Sequence, residues 1–305
     1  MNWFFLALLG PLLYATTNYI DKVLLDKYFK QKGVGTILLF SSLLSVIALP
    51  FIFLVDHTVF SMSARDILIM ATVGGLNVGV LWCYLLALKH EEASVVIVFY
   101  QLVPVIGGIL GYFFLGEILK PLQIIAMAIV IVGTTIVAFE IDSDNHFKLR
   151  KKTVLPMLAA ASFWAIGGVI FKAVALEENI WRTIFWEHVM LVAVGVVIFI
   201  FIRSYRDDFL SAFKNNSKTI LSYNVANELI YITGNVIVAY TYLLAPIGLV
   251  LLTESFQPIF VLLIGIFLTI FFPKIIAEKI QARHLWPKII AILITLVGTY
   301  LLFLK

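Results

Sequence analysis

Ten long apolar runs, separated by short charged clusters, decide what this chain can fold into. They cover roughly residues 3–20, 34–55, 67–88, 94–115, 121–139, 153–175, 182–202, 219–243, 246–272 and 286–304. Each is close to the roughly 20 apolar residues that a helix needs to cross a bilayer core. In lipid a backbone N–H or C=O finds no outside partner, so each run must close its own hydrogen bonds as a helix; a closed barrel would need alternating strands, and the runs do not alternate. Only 13% of the residues are charged and 62% are hydrophobic, against about 25% charged in soluble domains. A soluble domain, a disordered chain and a coiled coil are excluded, and no charge-balanced stretch is long enough for a large extramembrane domain. The expectation is an all-α polytopic membrane protein with ten transmembrane helices.

The connections are chemically reasonable breaks: Lys30-Gln31-Lys32-Gly33, Lys89-His90-Glu91-Glu92 and Lys120-Pro121 are polar or helix-terminating. A net charge of +4 without a basic–aromatic patch gives no reason to expect nucleic acid as a partner. The single cysteine, Cys83, lies in an apolar run; no intramolecular disulfide and no metal-ligand spacing can be drawn, and no metal or cofactor is expected. The first apolar run lacks a positive region before it and leads into further spans, so it reads as a helix rather than a cleaved leader.

The two halves of the chain are related. Span 3 carries Asn77-Val-Gly-Val-Leu-Trp-Cys-Tyr-Leu-Leu-Ala87 and span 8 carries Asn235-Val-Ile-Val-Ala-Tyr-Thr-Tyr-Leu-Leu-Ala245, identical at seven of eleven positions. Span 5 (Ile124 to Thr134) and span 10 (Ile289 to Thr299) again agree at seven of eleven, including Val132-Gly133-Thr134 and Val297-Gly298-Thr299. Spans 1 and 6 share Tyr14-Ala15 with Trp164-Ala165, and Lys22 with Lys172; Pro104 in span 4 matches Pro258 in span 9. Apolar composition alone produces matches at Leu, Ile and Val, but not at Asn, Tyr, Lys, Gly and Pro in the same order. The organisation expected is a five-helix repeat over 1–140, a charged linker over 141–152 and a second repeat over 153–305. Five is odd, so the second copy enters from the opposite side. Such inverted repeats suit alternating access around a site near the midplane.

With these residues in view, the chain resembles the drug/metabolite transporter superfamily, of the EamA type. The resemblance rests on Tyr84-Leu-Leu-Ala-Leu, Ala93-Ser94, Gln101-Leu-Val-Pro104-Val, Leu115-Gly-Glu117 and Val132-Gly133. In the second half it rests on Tyr242-Leu-Leu-Ala, Gln257-Pro258 and Leu296-Val-Gly298. After span 9 the pattern departs: Phe271-Phe-Pro273 stands where a Leu-Gly-Glu turn is expected, followed by a basic segment, so the Glu117-type turn is not duplicated. The resemblance implies that spans 1, 3, 4, 6, 8 and 9 line a cavity, that 2 and 7 flank it, and that 5 and 10 support it. It also implies transport, not enzymatic activity, and a bacterial or archaeal cell (inner) membrane.

Ionisable residues within spans mark pathways or proton relays by default. In span 8, Asn224, Asn227, Glu228, Tyr231 and Asn235 share one helical face. This face suits either a cavity or an interhelical hydrogen-bonded seam. In span 9, Pro258 frees the carbonyl of Glu254; that carbonyl and the nearby carboxyl either coordinate a solute or proton, or satisfy each other in a kinked helix. Neither carboxylate has a counterpart in the first half, where Met70 and Tyr100 stand, so Glu228 and then Glu254 are the candidates for proton coupling. Glu187 and His188, close to Arg182, read as an interfacial pair rather than a second relay. In span 1, Tyr14, Thr17, Asn18 and Asp21 share a face, with Asp21 and Lys22 readable as interfacial. The candidate solute-binding set is Tyr14, Asn18, Asn77, Tyr100, Gln101, Trp164, Tyr231, Asn235 and Gln257, with Pro104 and Pro258 as hinges. Asn77 and Asn235 serve equally well as interhelical hydrogen bonders.

Of the basic residues, 17 fall in connections after odd-numbered spans and five on the other side. The positive-inside rule then places both termini outside, whereas the resemblance implies termini inside. The expected function is secondary transport of a small organic metabolite, an amino acid or related solute, in the export direction by resemblance, with the bilayer as its other partner and a monomer or homodimer as its state. The alternatives are a flippase for lipid or lipid-linked sugar, and a membrane-embedded lipid-modifying enzyme. The latter needs a cluster of catalytic groups, and His57, His90, His146, His188 and His284 are dispersed.

Overall fold

The computed structural model describes residues 2–29, 34–115, 120–141, 147–175, 178–244 and 253–304. The Lys30–Gly33 break, Glu117, the start of span 9 at 246–252 and the middle of the linker at 142–146 lie outside the described residues, as does the side chain of Lys172. Among the described residues the regular structure is helical apart from one short strand pair. Among the described residues eight helices are long and apolar enough to cross a membrane: Trp3–Tyr28, Gly35–Val55, Ala64–His90, Ala93–Phe114, Pro121–Ala138, Lys151–Phe171, Ile180–Phe201 and Ala282–Leu301. This is an integral membrane protein. Large apolar side chains such as Phe5, Leu54, Leu68, Phe113, Phe114, Phe201 and Phe271 point outwards, as expected where the surroundings are hydrocarbon.

Helix α1 (Asn2–Val23) continues as a π turn over Leu24–Tyr28. The second apolar run is broken into α2 (Gly35–Leu44) and α3 (Ala48–Val55) by a 3₁₀ turn at Ser45–Ile47. Helix α4 (Ala64–His90) is capped by Ser63, whose Oγ accepts from the Asp66 amide at 3.1 Å. The fourth run consists of α5 (Ala93–Val96), a 3₁₀ segment Ile97–Gln101 and α6 (Leu102–Leu115). Pro104 cannot donate to the carbonyl of Tyr100, and the chain tightens into 3₁₀ geometry there. Helix α7 (Pro121–Ala138) starts on Pro121, with the Gln123 side chain accepting from the Lys120 amide at 2.9 Å.

The linker is not wholly irregular: β1 (Phe139–Ile141) and β2 (Phe147–Leu149) form an antiparallel pair with Glu140 opposite Lys148. Then come α8 (Lys151–Ala175), α9 (Ile180–Phe201, capped by Asn179), α10 (Arg203–Leu244), α11 (Gln257–Phe271) and α12 (Ala282–Phe303). Helix α10 begins well before the expected eighth span, and its polar first turns pack inwards through Tyr205 and Ala212. Helix α11 starts at Gln257, directly before Pro258, and a turn separates it from the helical residues Thr253 and Glu254.

The most extensive packing is between α7 and α12, α4 and α8, and α1 and α10; further pairs are α4 with α9, α6 with α8, α2 with α10, α1 with α11 and α2 with α9. Helices α7 and α12 meet at two glycines. A Cβ on Gly133 would lie 2.6 Å from Thr295 Cγ2 and 3.0 Å from its amide nitrogen, and one on Gly298 would lie 2.7 Å from Val130 Cγ2 and 3.0 Å from its amide nitrogen. Small residues at a crossing let backbones approach and gain dispersion contacts, the main attraction between helices in lipid. The remaining helices surround a polar interior.

Candidate functional site

Helix α1 contributes the first polar groups because Asn18 and Asp21 lie one turn apart on its inner face. The Asn18 amide donates to Tyr84 Oη at 2.9 Å, and Tyr84 Oη donates to Asp21 Oδ2 at 3.3 Å. From α10, Asn227 Nδ2 donates to Asp21 Oδ1 at 2.8 Å. From α11, Gln257 Nε2 donates to Asn18 Oδ1 at 2.9 Å. One buried network therefore joins α1, α4, α10 and α11. Asp21 is only 5% exposed, and among the described residues its carboxylate meets amide and phenol donors but no cation. Asn227 Oδ1 is buried and unpartnered among the described residues. An acceptor left without a donor in a dry interior is costly.

An aromatic wall adjoins the network. The Tyr84 and Tyr100 rings stack at 6.1 Å, and Tyr100 meets Trp164 edge-on at 4.8 Å. The Tyr14 and Tyr231 rings lie 5.5 Å apart. The network and the wall draw on the first, third, fourth, sixth, eighth and ninth apolar runs.

Two further carboxylates are held nearby. Glu228, 4% exposed, receives a 2.9 Å contact from Ser45 Oγ, in the 3₁₀ break of the second run. Ser45 Oγ also lies 3.0 Å from the Ser41 carbonyl. A hydroxyl carries one hydrogen; if it serves Ser41, the other contact requires the proton on Glu228. Glu187 accepts from Asn77 Nδ2 at 2.6 Å.

Several sequence expectations change here. Asp21, readable from sequence as an interfacial acid, is buried within the network. Glu187, read with His188 as an interfacial pair, bonds Asn77 on α4, while the nearby Arg182 bonds Glu178 at 3.0 Å and Thr58. Gln101 faces the supporting pair, accepting from Thr299 Oγ1 at 3.1 Å, and stands apart from the network. Asn235 is half-buried further along α10 and makes no hydrogen bond among the described residues. Glu254 is half-buried in the fragment before the α11 break.

Glu278, which no sequence motif marks, ties α1, α5 and α12 together. Its carboxylate accepts from Tyr19 Oη at 2.7 Å, from the Ser94 amide at 3.3 Å and from Ser94 Oγ, and pairs with Lys288 at 3.2 Å. Lys288 also pairs with Glu92, and Arg150 with Glu91. The segment after the ninth run thus brings a buried glutamate to the start of α5, although no Leu-Gly-Glu turn announces it. The only advance signal was a lone acid in an otherwise basic connection.

Residues 1–139 match the family model described as the EamA-like transporter family, which bears out, over that stretch, the resemblance read from the sequence. The matched stretch is the first 139 of the 305 residues, and the model describes a family of transporters. No curated protein matches the chain in sequence. A crystal structure of another protein aligns with 98% of this chain and 94% of its own, with a TM-score of 0.53 and 14% identity; this likeness concerns the fold.

Proposed function

We propose that the protein is a secondary transporter moving a small organic solute that bears an amine, an amino acid or a relative of one, by alternating access. The observation that carries this reading is the buried Asp21 carboxylate, met by Asn227 and Tyr84 and by no cation among the described residues. A buried carboxylate needs a proton or a positive partner, and an ammonium group supplies one. Tyr84, Tyr100 and Trp164 offer ring faces and edges beside it, suited to a cation or an apolar side chain. Asn227 Oδ1 is a free acceptor for a second donor of the same solute.

The two-repeat, ten-crossing reading is supported by the packing. At the repeat offset the first five runs exchange with the last five, and every prominent contact then has a mate: α4 with α8 becomes α10 with α1, α4 with α9 becomes α10 with α2, and α6 with α8 becomes α11 with α1. The α7–α12 contact maps onto itself, as Gly133 on Thr295 mirrors Gly298 on Val130. In this reading α10 and α11 supply the eighth and ninth crossings. Pro104 and Pro258 sit at matching helix breaks and serve as hinges. The cluster held by Glu278 is one gate, and Glu228 is the proton-coupling group, with Glu254 second. By resemblance the membrane is a bacterial or archaeal cell membrane and the direction is export.

The test is solute movement by purified protein in liposomes, screened over amino acids, amines, sugars and nucleotides. Saturable movement of an amine-bearing solute is expected. Lipid scrambling without movement of any solute would overturn the proposal in favour of a flippase.

A further inference from the structure

A cavity of about 450 Å³ lies away from the central network, where four membrane-crossing segments end together. It is bounded by the end of α7, the strand pair, and the starts of α5, α8 and α12. Its polar side holds Arg150, Lys279, Arg283, His284 and Lys288 with two acids, Glu91 and Glu92. Both acids are already engaged, Glu91 by Arg150 and Glu92 by Lys288. Among the described residues no carboxylate pairs with Lys279 or Arg283; the Arg283 Nε bonds His284 at 3.0 Å and leaves its terminal nitrogens free. Arg150 Nε is buried facing no acceptor among the described residues. Three helices present N-termini to this region, at Ala93, Lys151 and Ala282, and the α8 and α12 termini add partial positive charge. The opposite wall is apolar and open to the bilayer: Val132 is 57% exposed and Phe139 41%, with Ile136 and Val137 beside them.

We propose that this cavity binds a phosphate group carried by an anionic phospholipid, with the headgroup against Lys279, Arg283 and Arg150 and an acyl chain along α7. A charged floor at the level of the helix ends, joined to a lipid-facing apolar wall, matches the two ends of such a molecule. Basic pockets between transmembrane helices recognise anionic headgroups in this way. The site belongs to the supporting pair α7–α12, and the inference does not depend on which solute the central network binds.

The test uses the full-length protein in nanodiscs of phosphatidylcholine containing phosphatidylglycerol, with retained lipid counted by native mass spectrometry after detergent transfer. Phosphatidylglycerol should be retained over phosphatidylcholine, and Lys279→Ala with Arg283→Ala should cut that preference by about 25-fold, about fivefold per basic side chain. Both side chains are exposed, so the fold should persist, checked by a thermal melt. The charge-preserving pair Lys279→Arg with Arg283→Lys should keep the preference. Equal retention of the two lipids, an unchanged preference in the alanine variant, or its loss in the charge-preserving one would each overturn the proposal. Thermal stabilisation by millimolar inorganic phosphate matching that by phosphatidylglycerol would assign the site to free phosphate and also overturn it.

Discussion

Asp21 on the first helix accepts a 2.8 Å hydrogen bond from Asn227 on α10, across 206 positions of sequence. The bond gathers chain segments from both halves around one carboxylate. Asp21→Asn keeps the shape of the side chain and removes its charge. A hydrogen bond to a charged group contributes about 1.5–3 kcal/mol, so the apparent KM for an amine-bearing substrate should rise about tenfold to a hundredfold. Liposome uptake as a function of substrate concentration measures this; an unchanged KM would remove Asp21 from the solute site.

Glu228 touches Ser45 rather than the Asp21 network, and its proposed coupling role can be tested apart from the solute site. Glu228→Gln mimics the protonated form permanently. Uptake by the wild type should respond to an imposed pH gradient, and uptake by this variant should proceed at a rate indifferent to it. A variant that still follows the gradient would move the coupling role elsewhere, with Glu254→Gln the next to compare.

The α7–α12 contact tolerates no added bulk at its two glycines. Gly298→Ala puts a methyl 2.7 Å from Val130 Cγ2, and overpacking of this kind costs about 1–3 kcal/mol. The melting temperature should fall, whereas Val297→Leu, at a neighbouring position that faces outwards, should leave it unchanged. Equal melts for both variants would show that the crossing is looser than the geometry requires.

Glu278 holds Tyr19, Ser94 and Lys288 together at what is proposed as one gate. Removing one partner of a buried ion pair costs about 3–5 kcal/mol, here reduced because Lys288 keeps Glu92. Glu278→Ala should therefore fold but open that gate, so that backbone amides around 93–97 exchange hydrogen faster. Protection equal to that of the wild type would mean that the gate is held shut by its apolar contacts alone.

The candidate site was legible unevenly, for reasons that particular residues make plain. Asn18 and Asp21 were visible as one helical face, because a period of 3.6 aligns them whatever surrounds the helix. Their rank was not visible: Asp21 next to Lys22 looks the same in sequence whether the pair snorkels to an interface or the acid turns inwards to Asn227. Gln101 is a second case: it reads as a polar group in a cavity-lining helix, and its side chain accepts from Thr299 on α12. Helical periodicity tells which residues share a face but not which neighbour that face meets.

The sequence by itself determined the solvent and the helical state. Each follows from local chemistry: apolar length and backbone hydrogen bonding in lipid. The tertiary structure alone decided that Asp21 is buried in the network, that Glu187 bonds Asn77, and that Glu278 from a basic connection joins Tyr19, Ser94 and Lys288. Those outcomes depend on distances between residues far apart along the chain, and in a membrane bundle such distances are set by how helices pack, which no single helix encodes.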